Sequence, residues 1–201
     1  MRLNESFYIR KDVVKIARDL IGKVLITNFD GQLTSGIILE TEAYNGIIDK
    51  ASHAFNNRRT TRTEIMFHKG ATAYIYLCYG IHSLFNVVTN IENIPHAILV
   101  RAIQPLDGIS IMEKRRNLSS TRKNFSAGPG TVSSCLGIHF SNSGLSLLDD
   151  KIWIEERNIK IKPSEIKITP RIGVDYAGEH ALLPYRFFID KLNDPLPYSN
   201  S

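Results

Sequence analysis

The chain has 201 residues, of which 43% are apolar and 22% are charged, and its net charge is +5. This length and composition predict one globular domain over residues 1–201, and no apolar run is long enough to cross a membrane. The two cysteines, Cys78 and Cys135, form no Cys-x-x-Cys pair, which excludes a disulfide framework and a cysteine zinc site. Because the sequence near Met1 carries no apolar targeting segment, we expect a cytoplasmic protein.

The basic excess is concentrated in two polar stretches. Their basic residues are Arg58, Arg59, Arg62, His68 and Lys69 in the first, and Lys114, Arg115, Arg116, Arg122 and Lys123 in the second. Such clusters are typical of polyanion-binding surfaces, whereas a solubilising surface explains so small an excess equally well. The charge pattern alone therefore leaves both interpretations open.

A helix and a hairpin are the first elements that the sequence predicts. Apolar residues recur with helical spacing over residues 13–21, directly after the N-cap residue Asp12. Two strand-like runs, residues 23–27 and 33–44, then flank the turn signal Asp30-Gly31, a pattern that predicts a β-hairpin.

The remainder of the chain predicts further strands and short helices. Residues 45–70 are polar and lack periodicity, so we expect a long loop with short helical turns. Further strands are predicted over residues 72–79, 83–89, 96–104, 152–155, 166–174 and 185–189. Helices are predicted over residues 106–116 and after Pro129, and the tail from Asp190 is predicted to fray. Strands joined by short turns, with grouped helices, predict an α+β fold with a curved, largely antiparallel sheet.

The second arm of the hairpin carries an unusual set of polar residues. Glu40, Glu42 and Tyr44 alternate along the strand, so their side chains share one face. Carboxylates are depleted in strands and costly to bury unpaired. The face is therefore either solvated or a site where a carboxylate handles a proton, and the strand taken by itself favours the solvated face.

Arg101 and Asn86 are polar residues within apolar strands. An arginine in such a strand needs a carboxylate partner, and Glu40 or Glu42 is the expected one. Such a pair is expected to lower the pKa of the carboxylate and keep it ionised. Asn86 needs hydrogen-bond partners, either as a core amide or as a group in a pocket.

Residues 74–80 (YIYLCYG) place three tyrosines in a strand and its following turn. Tyr74 fits a packing role, but Tyr79 lies at the turn, where a side chain can project. Stacking a base on an aromatic ring contributes ~1–3 kcal/mol, so Tyr44 and Tyr76 are candidates to sandwich a planar substrate. The six histidines, among them His53, show no metal-ligand spacing, and no lysine or serine has the surroundings of a covalent nucleophile.

Taken in order, these motifs resemble those of the alkyladenine (3-methyladenine, methylpurine) DNA glycosylase family. The resemblance extends from Arg10 to Ile189. The motifs that carry it are ETEAY at 40–44, SH at 52–53, YIYLCYG at 74–80, Asn86, LVRA at 99–102, SAGPG at 126–130, PRIGV at 170–174, AGE at 177–179 and PYRF at 184–187. Each motif alone is weak, whereas their shared order is specific.

The resemblance implies a base-excision repair enzyme that flips a damaged purine out of double-stranded DNA and hydrolyses its N-glycosidic bond. By resemblance, Glu42 is the general base that activates water and Arg101 positions that water. Tyr79 is the residue inserted into the gap left by the flipped nucleotide, and Ile81 lies beside it where family members vary. The implied pocket residues are Tyr44 and Tyr76 as stacking walls, His53 as the hydrogen-bonding side, Asn86 as the amide that discriminates against guanine, and Ile172 through its main-chain carbonyl.

The resemblance also implies how the enzyme works and where. We expect a monomer without cofactor or metal, acting near the nucleoid of a bacterial cytoplasm and leaving an abasic site in an intact strand. The candidate lesions are 3-methyladenine, 7-methylguanine, hypoxanthine and ethenoadenine, and electron-rich walls are expected to hold a cationic purine by cation–π attraction.

Two other functions remain open from the residues themselves. One is a nucleic-acid-binding module without activity, in which Glu42 only pairs with Arg101. The other is a metal-dependent phosphodiesterase, with Glu40, Glu42, Asp49 and His53 as ligands.

Overall fold

An antiparallel β-sheet forms the framework of residues 1–190 and 192, which the computed structural model describes. The strands follow the order β3-β4-β5-β2-β1-β6, and β8 pairs with both β2 and β7. Their bounds are β1 (Val24–Phe29), β2 (Gln32–Tyr44), β3 (Thr72–Cys78), β4 (His82–Thr89), β5 (His96–Asp107), β6 (Ile152–Glu155), β7 (Lys167–Thr169) and β8 (Arg186–Phe188). The predicted fraying of the tail falls on residues 191 and 193–201, outside the described residues.

Four short α-helices accompany the sheet in the part of the chain that the structure describes, and the α+β fold class is as predicted. Their bounds are α1 (Glu5–Tyr8), α2 (Val13–Asp19), α3 (Ile109–Arg116) and α4 (Pro129–Leu136). The predicted N-cap of α2 is present, since the Asp12 carboxylate accepts a hydrogen bond from the N–H of Lys15 at 2.9 Å. Among the described residues, no helix is long and apolar enough to cross a membrane.

The long strand β2 organises the sheet. Its first half pairs with β1 through the predicted hairpin, whose turn residues Asp30 and Gly31 both have positive φ (52° and 75°). Its second half pairs with β8, and its other edge runs along β5. The acidic stretch of β2 is therefore hydrogen-bonded on both edges, in the interior of the sheet.

Three register shifts interrupt the pairing of β2 with β5, and the last two are opposed bulges. Leu39 is an extra residue in β2, and the imbalance is reversed at once because Arg101 is an extra residue in β5. A bulge changes the direction of the side chain it carries. The bulged residue of β5 is Arg101, whose guanidinium contacts Glu40 and Glu42 on the neighbouring strand β2.

Two predicted elements differ from the structure. Residues 166–174 form a strand only over Lys167–Thr169, because Pro170 lacks an N–H donor, Arg171 is turned into the interior and Gly173 has a φ of 73°. The helix predicted from residue 106 begins at Ile109, because β5 continues to Asp107 and Gly108 takes a left-handed conformation.

The sheet is covered on both faces. The main core contains α2 and α4, which pack on β2, β4 and β5. Two smaller apolar clusters, one around Phe67 and one around Val174, lie outside this core. The first lies under the long loop over residues 45–70, which contains three 3-10 turns, in agreement with the prediction. A cavity opens beside these smaller clusters.

Candidate active site

A cavity of about 350 Å³ lies where the loop over residues 45–70 and the segment after β7 meet the sheet. Its volume is within the range of small-molecule sites. The lining residues are Tyr44, Ala51, His53, Met66, Tyr74, Tyr76, Cys78, Tyr79, Leu84, Asn86, Ala97, Leu99, Arg101, Pro129, Ile172, Gly173, Val174 and Tyr176. Eight of the nine residues singled out by sequence are in this set or, in the case of Glu42, in contact with it, and the ninth, Ile81, lies two residues from Tyr79.

Glu42 lies directly behind the cavity lining and is fully buried. Its Oε1 accepts a hydrogen bond from the N–H of Ile172 at 2.8 Å, and its Oε2 accepts one from the hydroxyl of Tyr44 at 3.0 Å. Arg101 Nη1 lies 3.4 Å from the same Oε2. The solvated face that the strand pattern favours is therefore wrong, since this carboxylate is held by three groups that line the cavity.

Burial dominates the acidity of Glu42. Removal from water raises the pKa of this carboxyl above its ordinary value, and the opposing influences of Arg101, the Ile172 N–H and the Tyr44 hydroxyl do not cancel the effect. The expectation that pairing with arginine gives a net lowering is wrong in sign. A carboxylate with a raised pKa is a better proton acceptor than an ordinary one, provided the pH keeps it ionised.

Glu40 forms the other half of the predicted pairing with Arg101. Its Oε1 accepts hydrogen bonds from Arg101 Nε at 3.0 Å and from Arg186 Nε at 2.6 Å. Both predicted carboxylate partners thus contact Arg101, but only Glu42 lacks a second arginine. The arrangement fixes the guanidinium of Arg101 at the cavity wall while Glu40 stays neutralised by Arg186.

A second buried ion pair, not predicted from the sequence, lies beneath Tyr44. The guanidinium of Arg171 is fully buried, contacts both carboxylate oxygens of Asp49 at 2.5 and 2.9 Å, and donates to the carbonyl of Ala43 at 2.8 Å. It also lies over the Tyr44 ring, 4.8 Å from the centroid. Burial alone raises the pKa of Asp49, but these contacts outweigh it and hold the pKa below its usual value.

His53, Tyr74 and Tyr76 form an aromatic cluster on the opposite part of the lining. His53 Nδ1 lies 2.9 Å from the Tyr74 hydroxyl, and its ring meets that of Tyr76 edge-on at 4.7 Å. Burial, and then the nearby charges of Arg62 and Arg58, lower the pKa of His53 to about 4. The imidazole is therefore neutral near pH 7 and offers one donor and one acceptor.

Asn86 lies on β4 with only 3% of its surface exposed. Its amide nitrogen donates to the carbonyls of Tyr74 and Leu84, at 3.1 and 3.2 Å. The residue is both a satisfied strand amide and a lining residue of the cavity, so the two interpretations from sequence are compatible.

The turn between β3 and β4 projects two large apolar side chains into solvent. Tyr79 is 91% exposed and Ile81 is 73% exposed, and Tyr79 has a φ of 51°, which is uncommon for a residue with a side chain. A left-handed conformation costs ~1–2 kcal/mol for such a residue. Strain and exposure together at one turn are features of a functional site rather than of packing.

The two basic clusters have different roles in the structure. In the second, Arg115 donates to the Thr34 hydroxyl and to the carbonyl of Cys135 at the end of α4, and Arg116 donates to the carbonyl of Phe125. These two residues support the fold. In the first, Arg58 and Arg62 are exposed on the loop that borders the cavity.

The proposed metal ligands do not assemble. Glu40 and Glu42 contact Arg101, Asp49 is occupied by Arg171, and His53 contacts Tyr74. Over residues 1–190 and 192, no three histidine, cysteine or acidic side chains are placed to hold a metal ion. The metal-dependent alternative therefore has no ligand set in this part of the chain.

Tyr176 is a lining residue that the sequence reasoning missed. Its side chain is 70% exposed, and its hydroxyl donates to the carbonyl of Ala51 at 3.1 Å. The only sequence signal was its place beside the AGE motif at residues 177–179. Its position at the rim, next to Ile172 and Val174 in the lining, extends the aromatic character of the cavity to its mouth.

Comparisons with known proteins identify the family to which this chain belongs. A family model described as Methylpurine-DNA glycosylase (MPG) matches residues 6–193. A protein of Chlamydia felis is 46% identical over 189 residues (94% of this chain and 96% of the relative), and one of Clostridium perfringens is 39% identical over 197 residues (94% and 96%). Both carry the name "Putative 3-methyladenine DNA glycosylase".

A protein of Bacillus cereus with the same name is 40% identical over 201 residues, covering 94% of this chain and 96% of its own. The relatives match nearly the whole chain, and the span of the family model includes every residue of the cavity lining. Both agree with the resemblance carried by the sequence motifs. The chain belongs to the methylpurine-DNA glycosylase family and is a DNA repair enzyme that acts as a DNA N-glycosylase.

Proposed function

We propose that this glycosylase flips a damaged purine from double-stranded DNA into the cavity and hydrolyses its N-glycosidic bond with water activated by Glu42. The observation that carries the proposal is the buried Glu42 carboxylate, held at the cavity wall by Tyr44, Arg101 and Ile172. Its raised pKa suits proton abstraction.

Glycosidic cleavage passes through an oxocarbenium-like state. A carboxylate near the sugar stabilises the positive charge of this state and activates the water that attacks it. In this proposal, Arg101 positions the water. Ile172 has two roles in this proposal. Its N–H holds Glu42 in place, and its main-chain carbonyl is the second contact of the water. Glu42 has no exposed surface, whereas Ile172, whose N–H it accepts, is 49% exposed.

The aromatic lining supplies the binding energy for the flipped base. Tyr44 and Tyr76 stack on it, His53 hydrogen-bonds to its edge, and Asn86 rejects a guanine whose exocyclic amino group would crowd it. Stacking of ~1–3 kcal/mol per ring offsets the cost of taking a base out of the duplex.

Tyr79 and Ile81 are proposed to hold the duplex open. Both extend into solvent from the turn that joins the two strands carrying Tyr76 and Asn86. One β-hairpin therefore carries both the residues proposed to insert into DNA and two residues that line the cavity. The enzyme acts as a monomer in this proposal. Because no lysine of the described residues lines the cavity, it leaves an abasic site in an intact strand.

The proposal is tested with duplexes that carry one hypoxanthine or one ethenoadenine, incubated with the protein in EDTA and then treated with alkali. Strand breaks that appear only after alkali report base release without metal. Glu42→Gln preserves the shape of the side chain but removes its basicity, so we expect it to bind DNA and to release no base.

Glu40→Gln is the matched control, because it is the same chemical change two residues away on the same strand. Glu40 contacts the two arginines but not the cavity, so this variant should still release base at a reduced rate. Full activity of Glu42→Gln, or equal loss in both variants, would contradict the assignment of Glu42 as the base.

A further inference from the structure

Tyr176 lies at the mouth of the cavity with an anchored backbone and an exposed ring. Its neighbours Val174 and Ala177 are buried and pack with Ala51 and Tyr44, whereas Tyr176 itself is 70% exposed and lines the cavity. Tyrosines that combine an apolar ring with a hydrogen-bonded hydroxyl are enriched at binding interfaces. The ring is therefore suited to a contact that forms when substrate is present.

The hydrogen bond of Tyr176 orients its ring and is not needed to join the two segments at the mouth. The hydroxyl donates to the carbonyl of Ala51 at 3.1 Å. The same two segments are already joined in the interior by the buried ion pair of Asp49 and Arg171, and Asp49 also accepts the N–H of Ala51 at 3.0 Å. Because the buried pair fixes Ala51, its carbonyl is a stationary acceptor that holds the Tyr176 ring between the two segments.

The sugar of the flipped nucleotide is the part of the substrate that lies nearest to Tyr176. In the proposed function the base lies between Tyr44 and Tyr76, and the N-glycosidic bond joins it to a sugar that stays on the DNA strand outside. Glu42, which acts beside that sugar, is held by the N–H of Ile172. Tyr176 follows Ile172 on the same segment of the cavity lining, so its ring is on the sugar side of the base.

We propose that Tyr176 is a further substrate-binding residue, which retains the flipped nucleotide by packing its ring against the deoxyribose. The inference deepens the proposed function and rests on it, because it requires the base to enter the cavity. The sugar is the same in every damaged nucleotide, so the contribution of Tyr176 should not depend on which base is released. Tyr44 and Tyr76, which stack on the base itself, should by contrast discriminate among bases.

The test measures single-turnover release from two duplexes of one sequence that carry either hypoxanthine or ethenoadenine, at protein concentrations below saturation. In Tyr176→Ala both rates should fall by the same factor, about tenfold, which is near the lower end for loss of one aromatic contact. The midpoint of urea unfolding should change little, because the side chain is 70% exposed. Tyr176→Phe keeps the ring and loses only the hydrogen bond to Ala51, so its rates should fall less.

Capture of the nucleotide is measured separately from chemistry in proteins that also carry Glu42→Gln. Ethenoadenine is fluorescent, so the change in its emission on binding reports its transfer from the base stack to the cavity. When Tyr176→Ala is added to Glu42→Gln, the protein concentration that gives half of the emission change should rise about tenfold. A merely structural role, in which Tyr176 only helps to place Glu42, would leave this concentration unchanged.

Leu182→Ala is the control, because Leu182 is 75% exposed on the same 3-10 segment, Asp175–Leu182, but does not line the cavity that the described residues form. It should release both bases at the rates of the unaltered protein. Normal rates in Tyr176→Ala, a loss confined to one base, or an equal loss in Leu182→Ala would overturn the inference, while the glycosylase mechanism would stand. If the unaltered protein releases neither base, the proposed function fails and the inference fails with it.

Discussion

Replacement of Arg101 by methionine should move the acid limb of the pH–rate profile upward. Arg101 is the largest influence that lowers the pKa of Glu42. Methionine keeps an unbranched side chain of similar reach but carries no charge. Because Glu40 retains Arg186 at 2.6 Å, the change leaves Glu42 as the carboxylate without a cationic partner.

The size of the shift follows from the geometry. Two unit charges 3.4 Å apart attract by ~5 kcal/mol at an effective dielectric constant of about 20. Loss of this attraction raises the pKa of Glu42 further, whereas Glu40, whose Oε1 lies 3.0 Å from Arg101 Nε, keeps Arg186 as its partner. In the proposed mechanism the ionised form of Glu42 is the active one, so the loss of activity at low pH moves upward by more than about one pH unit.

The assay is kcat/KM for hypoxanthine release between pH 4.5 and 9, which reports groups of the free enzyme. Urea unfolding verifies that the variant is folded. Arg101→Lys restores a positive charge and should return the acid limb most of the way to its position in the unaltered protein. An acid limb that stays in place in Arg101→Met would refute the reasoning, because the titrating group would then not be the carboxylate next to Arg101.

Three further expectations concern the turn, the second ion pair and the basic loop. Tyr79→Ala removes an exposed ring, so the midpoint of its urea unfolding should not change. Release of a paired damaged base should fall ~10-fold to 100-fold, which corresponds to the loss of one stacked base. A normal rate of release would exclude insertion of Tyr79. Asp49→Asn leaves Arg171 buried without its counter-charge and should cost ~3–5 kcal/mol in urea unfolding at pH 7. Since the pKa of Asp49 lies below its ordinary 3.8, this contribution is present above about pH 4 and declines as the pH falls further, so a variant as stable as the original would contradict the pairing. Arg58→Gln, if that residue touches phosphate, should reduce the salt slope of log K by ~0.9, whereas Arg115→Gln should lower stability and leave the slope unchanged.

Patterns among residues close in the sequence were enough to predict much of the fold and part of the candidate site. The Asp30-Gly31 signal and alternating residues predict the β1–β2 hairpin because turn chemistry and side-chain period act over short distances. The same alternation brings Glu42 and Tyr44 to one face, and the cost of burying an unpaired arginine predicts the carboxylate partners of Arg101.

The missed features depend on residues that are distant along the chain. Asp49 and Arg171 meet only in the folded protein, and residues 166–174 resemble a strand because nothing local shows that Arg171 turns inward. The sign of the Glu42 pKa shift likewise depends on burial, which pairing arguments from the sequence do not include.

The bulges at Leu39 and Arg101 shift the register between β2 and β5 in opposite directions, and Arg101 also lines the cavity. Deleting Leu39 alone would slip the rest of β2 by one residue and turn Glu42 to the opposite face. Deleting Leu39 and Arg101 together would keep the flanking pairs aligned, because the two insertions cancel, but the side chains beyond them would change faces relative to the first half of the sheet. The second bulge thus restores the alignment that the first one disturbs, and the residue that restores it is the arginine that contacts Glu42.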